Sequence, residues 1–132
     1  MSGMPPRPAL RYRPLWTALG WVIVAAIVWL SVTPQPVEID IEQGDKLGHF
    51  LAYGTLMFWF CQLHAARPQR IAYGVAWVAL GVSLEFLQGW LGWRSYDPWD
   101  MAANTTGVAL GWIAAVAIGA RVFGWVERLA AR

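Results

Sequence analysis

A chain of 132 residues fits one domain, and its make-up excludes an ordinary soluble core. Apolar residues make up 58% and charged residues 14%, with ten tryptophans, whereas roughly a quarter of a typical soluble domain is charged. Ten Lys/Arg against eight Asp/Glu leave a small positive excess spread over segment ends, which points to membrane topology signals rather than a nucleic-acid face. The single cysteine, Cys61, excludes an intrachain disulfide or a cysteine-rich metal centre, and its apolar neighbours Trp59, Phe60 and Leu63 make it packing filler.

In chain order, residues 1–14 form a basic tail with Arg7, Arg11 and Arg13. Residues 15–32 are an uncharged apolar run behind Pro14, a residue suited to a first helical turn. At about 1.5 Å per residue the run reaches roughly 27 Å, enough for a membrane span. A cleaved signal peptide is disfavoured, because the run is long and Ser31-Val32-Thr33 is followed at once by Pro34. An acidic, proline-bearing loop (Glu38, Asp40, Glu42) leads to a second span, 47–64, entered through Asp45, Lys46 and His49. A basic turn with Arg67, Pro68 and Arg70 leads to a third, 71–90, with Glu85 and Gln88 in its final turns. Then Asp97-Pro98-Trp99-Asp100 predicts a helix start, with Asp97 as N-cap, Pro98 in the first turn and Asp100 near the positive helix end. The fourth span is 101–122, and 123–132 is a short amphipathic tail. The expected fold is an all-α membrane protein, a four-transmembrane-helix bundle.

The basic residues set the orientation. Alternating spans put Arg7, Arg11, Arg13, Arg67, Arg70, Arg121, Arg128 and Arg132 on one side and only Lys46 and Arg94 on the other, so both termini are expected in the cytoplasm. Trp16, Trp59 and Trp125 belong to the inner interface; Trp29, Trp90, Trp93 and Trp99 belong to the outer one. The same alternation brings Asp45, Lys46, His49, Glu85, Gln88, Arg94, Asp97, Asp100 and Asn104 to the outer ends of the helices. Helical phase supports the convergence. Gly74, Val78, Gly81, Glu85, Gln88 and Gly92 share one stripe, as do Asp100, Asn104, Gly107, Gly111 and Ala115, and Asp45, His49, Ala52, Tyr53 and Leu56 share a third. Small residues at this spacing let helix backbones approach, so the stripes should face the bundle interior.

As spaced here, Asp45-Lys46-x-x-His49-Phe50-x-x-Tyr53, then Glu85-x-x-Gln88, then Arg94-x-x-Asp97-x-x-Asp100-x-x-x-Asn104-x-x-Gly107 resemble the VanZ-like family of small bacterial membrane proteins. The resemblance covers the second to fourth spans. It implies a multi-span helical protein of the bacterial cytoplasmic (inner) membrane. The family's namesake is an accessory determinant of glycopeptide resistance.

Three functions compete. In the first, Asp45, Lys46, His49, Tyr53, Glu85, Gln88, Arg94, Asp100 and Asn104 bind an amphiphilic envelope molecule: a lipid head group, a lipid-linked precursor or a glycopeptide. In the second, His49, Glu85 and Asp100 are acid/base residues of a membrane enzyme, although no nucleophile is evident, since Ser83 lies below the cluster and Ser95 in a loop. In the third, the cluster only locks helices together. One histidine among scattered acids is a weak ligand set, so no metal and no cofactor is expected. The partner is the lipid bilayer, not nucleic acid. Glu85 stands out because an ionisable group at that depth needs a partner or a proton.

Overall fold

The computed structural model describes residues 9–34, 42, 44–92 and 94–132. Residues 1–8 of the basic tail, most of the acidic loop (35–41 and 43) and Trp93 lie outside the described residues. Among the described residues all regular structure is helical: α1 (Arg13–Val32), α2 (Gly44–Leu63), α3 (Arg67–Leu91), α4 (Pro98–Ile118) and α5 (Val122–Ala130). Proline opens α1, α3 and α4, where its missing N–H costs no helical hydrogen bond.

Three of these helices, α1, α3 and α4, are long and apolar enough to cross a membrane, rather than the expected four. The exception is α2, with the same length of 20 residues as α1 but carrying Asp45, Lys46, His49 and Gln62. Its position gives the physical reason. It packs against α1, α3 and α4 and buries Tyr53, Leu56, Met57, Phe60, Cys61, Gln62 and Leu63, so much of its surface meets protein rather than the surroundings. The other three helices turn large apolar side chains outward, among them Val22, Trp29, Val75, Ile113 and Val116. Apolar surface on that scale marks a lipid or partner contact.

The closest helix pair is α2 with α4. Asp100, Asn104, Gly107, Val108, Gly111 and Ala115 are the buried face of α4. A Cβ on Gly107 would run into the Phe50 carbonyl oxygen, and one on Gly111 into that of Gly54. The contact is therefore backbone against backbone, which only glycine permits.

The basic end is closed by side chains that satisfy orphan carbonyls at the C-terminus of α2. Arg13 donates to the Leu63 carbonyl (2.7 Å), and Arg70 donates to those of His64 (2.8 Å) and Cys61 (2.9 Å). Gln62 accepts from the Val122 amide at 3.1 Å and donates to the Gly119 carbonyl at 3.2 Å. This fixes the break at which α4 stops and α5 turns back. The expected fourth span, 101–122, thus ends four residues early at Ile118, and the expected tail is a docked helix. Phe123 of α5 stacks on Trp16 with centroids 4.3 Å apart and meets the Trp59 ring edge-on at 4.7 Å.

Candidate functional site

The other end brings together the start of α2, the end of α3 and the start of α4. Asp97 caps α4, its Oδ1 accepting from the Trp99 amide at 2.9 Å. Its Oδ2 accepts from Lys46 Nζ at 3.1 Å. The Trp99 amide and then Lys46 hold the Asp97 carboxyl below its ordinary value of 3.8. The Lys46 ammonium also lies 3.4 Å from Asp45 Oδ2 and 3.5 Å from Asp100 Oδ1, so three carboxylates surround one cation.

Behind this group, His49 Nδ1 lies 3.0 Å from Asn104 Oδ1. An amide oxygen only accepts, so in this arrangement Nδ1 carries the hydrogen. Nε2 then faces Asp100 Oδ2 across 3.6 Å. Glu85 is 1% exposed; its Oε1 accepts from the Asp97 amide at 2.7 Å, while Oε2 is buried without a hydrogen-bond donor. Tyr53, buried on α2, packs its ring over Gly81, where a Cβ would stand 3.2 Å from Tyr53 Cε1 and 2.9 Å from Asn104 Nδ2. That glycine makes room for both side chains.

Two of the sequence-derived site residues take other directions. Gln88 is buried, but it donates to the Ser31 carbonyl at 2.9 Å and so ties α3 to α1. Arg94 makes none of the cluster's contacts among the described residues; with Phe86, Gly89, Gly92, Ser95 and Tyr96 it borders a separate open hollow of about 550 Å³. His64 lies at the basic end, stacked on Tyr73.

Beside Lys46 opens a groove of about 650 Å³ between the N-terminal halves of α2 and α4, lined by Leu47, Phe50, Trp99, Ala102 and Ala103 and also by Glu42 and Thr106. Sequence reasoning passed over Leu47, Ala102 and Ala103 and carried Phe50 only as a position of the family motif, since apolar residues in an apolar helix give no signal of their own. Asp97, expected mainly as a helix cap, is also the nearest partner of Lys46. The arrangement offers a polar head site with an apolar flank. His49 and Asp100 face one another at 3.6 Å, whereas the hydrogen bond of Glu85 goes to the Asp97 amide. Among the described residues no serine, threonine or cysteine is hydrogen-bonded to it.

No family model matches the chain. No solved structure matches it. An uncharacterized protein of the fission yeast Schizosaccharomyces pombe (strain 972) is 30% identical over 106 residues, covering 77% of this chain and 62% of that protein. The chain thus spans less than two thirds of the relative's length.

Proposed function

We propose that this chain is a VanZ-like integral membrane protein with four spans and both termini in the cytoplasm. Its outer-end polar cluster binds the head of an amphiphilic cell-envelope molecule, such as a lipid or lipid-linked precursor. In support of four spans, α2 has the length of α1, and four alternating helices carry Arg13, Arg67, Arg70 and Arg121 to the basic end and Lys46 and Arg94 to the opposite one. Assignment to a bacterial inner membrane rests on the family resemblance alone, and the fission yeast relative adds nothing to it. The observation that carries the binding reading is the continuity of a charged site with an apolar groove. Lys46 belongs to both the carboxylate cluster and the groove, whose largely apolar lining is Leu47, Phe50, Trp99, Ala102 and Ala103 with Glu42 and Thr106. An amphiphile needs those two environments side by side.

The test is site-specific photocrosslinking in cells, with a photoreactive residue at Ala103 or, as the bulk-lipid control, at Val116. Position 103 should capture one defined head-group class, and Asp100→Asn should abolish that capture; position 116 should capture the bulk membrane mixture in both backgrounds. The same mixture at both positions would overturn the reading.

A second reading also has an observation in its favour. Lys46–Asp97, His49–Asn104, Glu85–Asp97 and Gln88–Ser31 each join different elements, as expected if the cluster serves to lock helices. In that case substitutions cost folding in proportion to any loss of phenotype.

A further inference from the structure

We propose that the outward face of α5 is a docking surface for the head groups of anionic phospholipids. Arg121, Arg128 and Arg132 pair with the phosphates, while Trp125 and Leu129 sit at the boundary of the acyl chains. The proposal rests on the bundle standing in a membrane and not on the amphiphile site at the other end.

Helical spacing assembles this face. Trp125, Arg128 and Leu129 are exposed on α5 three and four residues apart, and Arg121 and Arg132, which flank the helix, are exposed in the same phase. The opposite face is pinned to the bundle. Phe123 is 4% exposed, packed on Trp16 and Trp59, and the Val122 amide donates to Gln62. Trp125, by contrast, is 55% exposed and Leu129 45%. Arginines that share a face with a tryptophan and a leucine suit neither water alone nor hydrocarbon alone. They suit the layer where phosphates meet acyl chains. Depth agrees, since only residues 119–121 separate α5 from Ile118, the end of an apolar helix long enough to cross a membrane.

Charge selects the occupant. Glu127 is the only acid of α5, and its carboxylate turns inward to accept from the Arg11 and Tyr12 amides and the Trp16 indole N–H. Every ion pair among the described residues lies at the opposite end, so none of their carboxylates balances Arg121, Arg128 or Arg132. Guanidinium groups match phosphate oxygens in geometry as well as charge, and basic residues at a membrane surface favour anionic over zwitterionic lipid. An acidic peptide or free phosphate would match the arginines but leave Trp125 and Leu129 without a use. A phospholipid engages both.

The experiment places a photoreactive residue at position 129 of the full-length chain, in nanodiscs of equimolar phosphatidylcholine and phosphatidylglycerol, and identifies the captured lipid by mass spectrometry. Phosphatidylglycerol should exceed phosphatidylcholine roughly fivefold or more there, and rising salt should lower that ratio. A photoreactive residue at position 22, in the middle of α1, should capture the two lipids about equally. Joint substitution Arg121→Gln, Arg128→Gln and Arg132→Gln should bring the ratio at 129 down to that at 22. Because Phe123, Gln62 and Glu127 hold α5 in place, this variant should melt near the unaltered chain. Lysine at the same three positions should keep most of the enrichment. Equal capture of the two lipids at 129 would overturn the proposal, as would enrichment that the glutamine variant retains. Capture of no lipid there would also overturn it and give the face to a protein partner. The readout is local to α5, so its failure and that of the amphiphile site are separate results.

Discussion

Asp97 and Lys46 stand 3.1 Å apart across the α2–α4 boundary, and the same carboxylate that holds the ammonium also starts a helix through the Trp99 amide. One side chain thus couples local structure to the charged site. Because both contacts favour the ionised form, the Asp97 carboxyl titrates below its ordinary 3.8. A folded-state pKa below the unfolded one gives stability that is present above the unfolded value and lost as pH falls through the folded one. The expected result is a melting temperature that declines below about pH 4. Asp97→Asn keeps a competent cap but loses the ion pair; it should melt lower at pH 7 and show a flatter acid limb. Thermal unfolding in detergent from pH 7 to 3 checks both.

Glycine substitutions should have opposite signs on two helices. At Gly111 any Cβ strikes the Gly54 carbonyl, so Gly111→Ala should separate α2 from α4 at a cost of about 1–3 kcal/mol. At Gly74 the nearest atoms to a Cβ are Met57 Cε at 3.7 Å and Trp112 Cζ3 at 3.8 Å, which is ordinary contact. Gly74→Ala should therefore be neutral or stabilising by roughly 0.5–1 kcal/mol through helix propensity. Equal effects at the two positions, by tryptophan-monitored unfolding, would contradict this packing.

These two glycines also show what was legible in the sequence. The stripe Asp100, Asn104, Gly107, Gly111, Ala115 could be read because one helix's own period carries it, and all five are buried. What Gly111 would meet could not be read, since Gly54 belongs to another helix and lies off the face predicted for it. Gln88 shares a stripe with Glu85, yet three residues along a helix turn it about 60° aside, enough to reach Ser31 instead of the cluster. Arg94 entered the expected site on span alternation and its place in the Arg94-x-x-Asp97-x-x-Asp100 spacing, and only tertiary structure shows what it borders. The central role of α2 was hidden for a related reason: hydropathy records what a helix is made of, not how many neighbours cover it.

At the basic end, Glu127 receives the amides of Arg11 and Tyr12 and the Trp16 indole N–H, each at 2.9 Å. Desolvation pushes its pKa up, but those three donors outweigh it and hold the carboxyl below its ordinary 4.5. Glu127→Gln should loosen α5 from the α1 entry while Phe123 keeps part of the contact. Trypsin should then cut faster at Arg121 and Arg128, with no change in cluster-end behaviour. In the unaltered chain the same loosening should appear only as pH falls below about 4.5, since the folded-state pKa is the lower one.

Reporter fusions test the membrane orientation. Fusions after residues 68 and 130 should read as cytoplasmic, and a fusion after residue 95 as external. A cytoplasmic signal at 95 would place the polar cluster on the inner face, and the envelope ligand would have to be sought on that side.

Glu85 separates the binding reading from the locking one. Its Oε1 accepts the Asp97 amide at 2.7 Å, and its Oε2 has no donor, so half of the carboxylate is structural and half is unused in the fold. Glu85→Gln retains an oxygen for the Asp97 amide and removes one negative charge from a cluster with a surplus of carboxylates. The bundle should therefore stay folded. Glu85→Leu leaves that amide without its acceptor in a buried setting and should cost about 1–3 kcal/mol. If the free oxygen serves a ligand or a proton, Glu85→Gln should abolish activity in a complementation or envelope-stress assay while its melting temperature stays near that of the unaltered chain. Should Glu85→Gln, Asp100→Asn and His49→Gln all prove folded and fully active, the ionisable groups do no more than hold helices together, and the locking role takes precedence over the binding one.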